Sequence, residues 1–442
     1  MFRAVARIFR TPDLRRKIGF TLGIVALFRL GSFIPAPFVD FINVQACLAG
    51  NAGASGLYEL VNLFSGGALL QLSVFALGIM PYITASIIVQ LLRVVIPHFD
   101  TLYKEGQTGQ AKLTQYTRYL TIALGVLQST TLITVARSGA LFPSNSGTPA
   151  CSDLITNEAW YAILLMVITM TAGTGLIMWM GELITERGIG NGMSLLIFTS
   201  IAATFPSALW SIQLSKGINT FILVIAVGLV IMAAVVFVEQ SQRRIPVQYA
   251  KRMVGRRTYG GNNTYIPIKV NMAGVVPVIF ASSLLYLPAL IAQFNQPAVA
   301  GEAPAAWVTW INNNLVSGDN PLYMAVYFLL IVGFTYFYVA ITFNPEEVAD
   351  NMKKYGGFIP GIRAGRPTAE YLDYVLTRVT LPGSLYLGLI ALIPLIALAT
   401  VGANQNFPFG GASILIIVGV GLETVKQIDS QLQQRHYEGL LR

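Results

Sequence analysis

Residues 219–244 read NTFILVIAVGLVIMAAVVFVEQSQRR, an apolar run that ends close to a pair of arginines. About 20 apolar residues in a helix are enough to cross the roughly 30 Å hydrocarbon core of a bilayer. Basic residues beside such a run mark its cytosolic end. This stretch therefore predicts a transmembrane helix whose carboxyl end faces the cytosol.

Nine further apolar segments lie along the chain, which is 54% hydrophobic and 11% charged. A soluble protein of this length carries about a quarter charged residues. The composition therefore predicts an all-α polytopic membrane protein. We place its ten transmembrane helices at residues 18–34, 68–92, 119–136, 159–181, 193–210, 219–238, 270–292, 322–343, 379–400 and 411–422.

The basic residues orient these helices. With a cytosolic N-terminus, 26 of the 29 Lys and Arg residues lie in the inner segments 1–17, 93–118, 182–192, 239–269, 344–378 and 423–442. The outer loops hold Arg137 and Lys216, and Arg29 lies in the first helix, near its outer end, where its stem can reach the interface. The positive-inside rule predicts that both termini lie in the cytosol.

The chain divides into two comparable halves, residues 1–210 and 219–442, with five predicted helices each. Because five is an odd number, the halves must have opposite orientations, which is the precondition for an inverted repeat around a central pathway. The polar join at 211–218 is predicted to be a hinge loop.

Arg29 is the one ionisable Asp, Glu, Lys, Arg or His side chain inside the predicted helices. Ion-coupled transporters normally have an ionisable residue near the bilayer midplane. The predicted helices have none there, which disfavours the alternative, an inverted-repeat secondary transporter. The chain also has no metalloprotease or P-loop motif, and two cysteines with two histidines are too few for the common metal motifs. We predict no enzyme activity, metal or cofactor.

Two kinds of segment depart from the plain pattern of helices and loops. Residues 62–69 form a short apolar turn with paired glycines, read either as a half-helix that dips back into the protein or as a packed loop. The inner loops 239–269 and 344–378 are long and basic, which indicates docking of an acidic partner or charge for topology alone.

Several long strings resemble the SecY family, the channel subunit of the bacterial protein translocase. They occur in order over nearly the whole chain: FSGG at 64–67, SVFALGIMPYITASIIVQ at 73–90, GELITERGIGNG at 181–192, KVNMAGVVP at 269–277, FNPEEVADN at 343–351 and GIR at 361–363. The resemblance implies an hourglass pore between two inverted five-helix halves. It also implies conduction of unfolded secretory polypeptides and release of membrane segments through a lateral gate.

The resemblance also assigns residues to roles. The pore ring would comprise Ile79, Ile83, Met193, Ile197, Ile279 and Ile416, the family commonly having isoleucine where this chain has Met193. The plug, about 62–69, would include Asn62, Phe64, Ser65, Gly66 and Gly67, and the lateral gate Thr84, Gln128 and Asn271. Arg256, Arg257 and Arg363 would dock the SecA motor ATPase or the ribosome. Other implied partners are SecE-like and SecG-like subunits, signal sequences and the lipid bilayer.

The two cysteines, Cys47 and Cys151, both lie in predicted outer loops of the first half. Two separate thiols are the default reading, and a disulfide is the alternative. A disulfide would close a loop of about a hundred residues, for which chain entropy gives about 4–5 kcal/mol before strain.

Overall fold

A computed structural model describes residues 11–50, 65–137, 154–157, 159–249, 252–254, 257–259, 264–294, 305–316, 320–401 and 411–438. Most of these residues are helical. Each of the ten predicted membrane segments overlaps a helix of the structure. The helices are α1 (Pro12–Gly31), α2 (Phe41–Gly50), α3 (Met80–Val95), α4 (Pro97–Lys104), α5 (Gln107–Arg137), α6 (Trp160–Arg187), α7 (Gly192–Gln240), α8 (Val276–Phe294), α9 (Ala306–Ile311, followed by a π-helical turn Asn312–Val316), α10 (Pro321–Thr342), α11 (Pro345–Lys354), α12 (Arg366–Val401) and α13 (Gly411–Glu438).

Five stretches of helix in the described part of the chain are long and apolar enough to cross a membrane, and α3 with α4 adds a sixth if the bent pair is one span. The stretch Gly217–Gln240 within α7 has the highest mean hydropathy of these, 3.3, yet only 17% of its apolar window is buried inside the protein. Large apolar side chains such as Val230 and Phe237 are 70% and 76% exposed. Such a face is stable only against lipid or an apolar partner, so the chain is a multi-pass membrane protein.

The second predicted membrane helix is shorter than the sequence indicated. Residues 68–79 are a series of turns, and the helix begins only at Met80, with Pro81 in its first turn. Gly66, Gly67 and Gly78 have φ values of 70°, 91° and 55°, which other residues rarely adopt. The glycines thus end helical structure, while proline suits a helix start. The seventh predicted helix likewise begins at Val276 rather than residue 270.

The predicted hinge at 211–218 contains a kink between two helical stretches. Helix α7 continues through these residues, and the one non-helical residue inside it is Gly217, with φ 82° and ψ 172°. A glycine takes this conformation at little cost, so one residue breaks the helix where a loop was expected.

The two basic inner loops contain β-strands that sequence patterns did not indicate. Strands β1 (Gln242–Tyr249), β2 (Arg252–Val254), β3 (Arg257–Tyr259) and β4 (Thr264–Lys269) belong to the first loop, and β5 (Gly357–Phe358) to the second. They form an antiparallel sheet of order β4-β1-β5 and a separate β2-β3 hairpin. Tyr249 pairs with Gly357, so backbone hydrogen bonding joins the two loops into one surface. We call the three-stranded sheet with the adjoining loop 359–365 the inner platform.

Buried apolar side chains form four clusters. One lies within the first half of the chain, one in the second half and one beneath the inner platform. The fourth combines side chains from α1, α3, α6 and the start of α7 with side chains from α8, α10 and α13. Both halves of the chain therefore meet in a shared apolar cluster.

Candidate functional site

All six residues expected at a pore ring lie in this shared cluster. Ile79, Ile197, Ile279 and Ile416 are buried, with 2% to 9% of their surface exposed, and Ile83 and Met193 are partly buried against them. Five of these side chains are aliphatic, and the thioether of Met193 is only a weak hydrogen-bond acceptor. We call these six residues the waist.

Four helix starts position the waist. Ile79 immediately precedes α3, and Ile83 follows one turn later, its N–H donating to the Ile79 carbonyl oxygen at 3.1 Å. Met193 and Ile197 occupy the first two turns of α7, Ile279 the first turn of α8 and Ile416 the second turn of α13. Because rigid helices from both halves carry these side chains, a relative movement of the halves must change their spacing.

Met193 has a specific neighbour on α6. A β-carbon placed on Gly181 would lie 2.3 Å from the Met193 sulfur, so the thioether packs directly on the glycine. An unbranched, flexible methionine side chain fits such a shallow groove. This contact gives a physical reason for methionine where the resemblance implies isoleucine.

The segment before α3 packs closely on neighbouring helices. Ser65 is 1% exposed, and its hydroxyl accepts a hydrogen bond from the Leu69 N–H at 3.0 Å. The Val74 carbonyl oxygen lies so close to Gly173 of α6 that a β-carbon there would be 2.1 Å away. Asn62 and Phe64, two further residues expected in the plug, lie outside the described residues.

Arg29 binds this segment, a contact that sequence reasoning did not predict. Its Nη1 donates to the carbonyl oxygen of Gly66, and its guanidinium lies 4.7 Å from the centre of the Phe33 ring. The sequence does offer one indication, since Arg29 is the one charged residue inside the predicted helices. A charge within a membrane helix is costly and normally has a specific partner.

The three expected gate residues are on α3, on α5 and just before α8. The Thr84 hydroxyl donates to the Met80 carbonyl oxygen, one turn earlier in α3. The Asn271 amide donates to Glu239 Oε1 and to the Gly274 carbonyl oxygen. Gln128 is partly buried on α5. These hydrogen bonds do not join Thr84 and Asn271 to each other.

A cavity of about 790 Å³ connects the waist with charged residues near the inner ends of the helices. Its lining includes Ile197, Ile279 and Ile416 of the waist. The charged residues in the same lining are Glu239, Lys269, Glu423 and Lys426. A water-accessible space thus reaches the apolar cluster from the side that the positive-inside rule places in the cytosol.

Arg363 is exposed on the inner platform, in a loop with a constrained backbone. Gly361 and Gly365 flank it with φ values of 87° and 106°, and its carbonyl oxygen accepts a hydrogen bond from the Thr368 hydroxyl at 2.8 Å. The backbone is therefore fixed while the guanidinium points to solvent. Arg257 begins β3, and Arg256 lies outside the described residues.

Cys47 is 1% exposed and disulfide-bonded, so the default reading of two separate thiols is wrong for this residue. The chain has one other cysteine, Cys151, which lies outside the described residues. Among the residues that the structure describes, no group of three or more His, Cys, Asp or Glu side chains could hold a metal ion.

Long apolar helices from two halves of the chain, packed around a shared apolar cluster, define a helical membrane protein. A family model for SecY matches residues 73–425, well over half of the chain. The chain belongs to the SecY family.

Curated relatives match over the full length of both chains. Protein translocase subunit SecY of Streptomyces coelicolor is 67% identical over 446 residues, and the Micrococcus luteus and Mycobacterium tuberculosis proteins of the same name are 61% and 58% identical. Among solved structures, a protein-conducting channel matches with a TM-score of 0.62 at 18% identity, covering 93% of this chain and 91% of that one. Sec61 in a canine ribosome–channel complex matches with a TM-score of 0.59, also at 18% identity, with the same coverage.

Proposed function

We infer that this chain is the channel subunit of a protein translocase, which conducts unfolded secretory polypeptides across the cell membrane. The observation that carries this inference is the waist, six apolar side chains that four helices from both halves bring into one cluster. The names of the full-length relatives agree with it.

The chemistry of the waist suits a passage for any sequence. A translocating polypeptide presents every type of side chain, so a constriction that binds one type strongly would stall. Aliphatic side chains offer no hydrogen bonds, and an apolar constriction can exclude water by dewetting. The waist therefore closes around a chain without selecting it, and excludes ions when the channel is empty.

We propose that residues around 62–69 form a plug over the outer side of the waist. The buried Ser65 and the hydrogen bond from Arg29 to Gly66 support this placement, because they hold one end of the segment against α1. The half-helix reading of the sequence is consistent with it.

We assign lateral release to the boundary between α3 and α8, flanked by α5 and α10, with Thr84, Gln128 and Asn271 as its polar residues. Both α3 and α8 carry waist residues, and the two helices contact each other. A signal sequence with ten leucine-like residues gains roughly 3–6 kcal/mol in lipid, at about 0.3–0.6 kcal/mol per residue. A sideways opening lets this gain separate membrane segments from secreted ones.

The energy for transport comes from partners, since the sequence holds no nucleotide-binding motif. The exposed Arg363 supports docking of a SecA-like motor or a ribosome on the inner platform, with Arg257 of β3 and the preceding Arg256 as further contacts. A ribosome is the partner in one related structure. Small SecE-like and SecG-like membrane subunits would complete the complex, with both termini of this chain in the cytosol.

A secretory precursor arrested during transport tests this function. Photo-crosslinking probes at Ile83 and Ile416 should form adducts with the arrested chain, while a probe at the lipid-exposed Val230 should form none. Adducts at Val230 but not at the waist would contradict a central pathway. Gradient-driven flux of a small solute, with no precursor adduct at either site, would favour the secondary-transporter alternative.

A further inference from the structure

Asn271 is held in a buried polar contact that the channel function does not by itself require. It is 4% exposed and lies between β4 and α8. Its amide nitrogen donates to Glu239 Oε1 and to the Gly274 carbonyl oxygen, and its Oδ1 is buried without a hydrogen-bond partner. Because both neighbouring atoms are acceptors, the NH₂ group must face them, which leaves Oδ1 unpaired.

Glu239 is placed where a carboxylate is unfavourable. It is the second-last residue of α7, and the carboxyl end of a helix carries partial negative charge. It is also partly buried, at the lining of the cavity. Lys269 and Lys426 in the same lining offset part of this cost, and Asn271 donates the hydrogen bond. A residue kept against local preference indicates a role beyond packing.

Asn271 lies in the connection between the inner platform and α8, the helix that carries Ile279 of the waist. The Val270 N–H donates to the Ser241 carbonyl oxygen at 3.0 Å, so the residue before Asn271 is tied to the residue that follows α7. Five residues after Asn271, α8 begins, and its first turn carries Ile279. The side chain of Asn271 therefore anchors the connection through which a displacement of the sheet would reach α8.

We propose that Glu239 is a positioning residue that holds Asn271 in its resting place and so sets the position of α8 against α3. The inference rests on the lateral gate proposed above. The unpaired Oδ1 makes this arrangement unfavourable for Asn271 itself, because a buried acceptor without a donor costs free energy. Loss of the Glu239 contact would let the Asn271 side chain turn to a position where Oδ1 gains a donor.

Variants at Glu239 separate the hydrogen bond from the charge. Glu239→Gln keeps an acceptor for the Asn271 amide without the charge, and Glu239→Leu removes both. Asn271→Leu and the double variant Glu239→Leu with Asn271→Leu complete a double-mutant cycle. Glu423→Leu is the matched control, since Glu423 lines the same cavity but is exposed.

The readouts are the distance between spin labels at Gln90 on α3 and Leu284 on α8, both exposed, and the rate of precursor translocation. We expect Glu239→Leu to shift the label distance and change the rate by roughly tenfold, the size expected for a hydrogen bond to a charged group. Glu239→Gln and Glu423→Leu should keep the native distance. The double variant should match Asn271→Leu alone, because Glu239 acts through Asn271.

Equal behaviour of Glu239→Leu and the unmodified protein, or strictly additive effects in the cycle, would overturn the inference. So would a Glu239→Gln variant that behaves like Glu239→Leu. The gate itself is tested separately by an oxidised cysteine pair that joins α3 to α8 at positions with Cα atoms within about 7 Å, in a chain with native Glu239. Transport that continues through a verified crosslink would contradict the gate, whereas the label distances alone decide the role of Glu239.

Discussion

The waist and the inner platform have opposite chemistry. The waist brings together six apolar side chains from four helix starts. The loops that form the platform carry twelve of the 29 basic residues, with Arg363 exposed on a constrained backbone. A surface that recognises a partner needs charge and fixed geometry, whereas a passage for every sequence needs neither. Substitutions in the two regions should therefore fail in different ways.

The largest effect is expected at the platform. Arg363→Glu should reduce motor-driven translocation to near background, because reversing a charge at a docking contact weakens binding by about thirtyfold or more. ATP-dependent precursor import into proteoliposomes measures it. The variant should still insert and leave the empty channel sealed, since Arg363 is exposed and is not part of the apolar cluster that contains the waist.

Arg366→Glu is the matched control for this prediction. Arg366 is also exposed, and it forms a surface ion pair with Glu370 at 3.1 Å. Surface pairs of this kind contribute little, so its charge reversal should leave most of the transport. Normal transport by Arg363→Glu, or equal loss in both variants, would remove Arg363 from the docking contact.

A smaller effect is expected at Arg29, the charged residue that contacts the segment before α3. Arg29→Leu removes the hydrogen bond to the Gly66 carbonyl oxygen. Amide hydrogen exchange over residues 65–72 should then become roughly tenfold faster, since a hydrogen bond to a charged group contributes about 1.5–3 kcal/mol. Exchange in the inner platform should stay unchanged. Unaltered exchange over 65–72 would show that Arg29 does not hold this segment.

How far the sequence alone could predict these regions follows from the interactions involved. Apolar runs and basic loops reflect transfer to lipid and membrane orientation, which depend on composition, so the sequence alone could predict a multi-pass helical membrane protein. Breaks such as Gly217 and the late start of α3 at Met80 depend on single glycine and proline positions, and only their neighbourhood could be predicted. The sheet that joins residues 242–249 to 357–358 pairs strands more than a hundred residues apart, which no local pattern reveals.

The candidate site shows the same division. Isoleucines at four separate helix starts have no distinguishing pattern, so their assignment to one ring came from the resemblance to the SecY family. Glu239 lies just beyond the most apolar run of the chain, where a charged residue at the end of a membrane helix is ordinary. Its contact with Asn271 depends on the pairing of β1 with β4 and required the structure.

The most direct test of the account is the resting ion conductance of the empty channel. Ile416→Asn places an amide in the waist, where Ile416 is 2% exposed, and Ile416→Leu keeps an apolar side chain of equal volume. We predict that the asparagine variant raises the conductance of purified complexes in planar bilayers by roughly tenfold or more, which corresponds to about 1.4 kcal/mol less stability of the closed state. The leucine variant should remain sealed. Equal, low conductance of both variants would contradict the assignment of this apolar cluster as the seal of the channel.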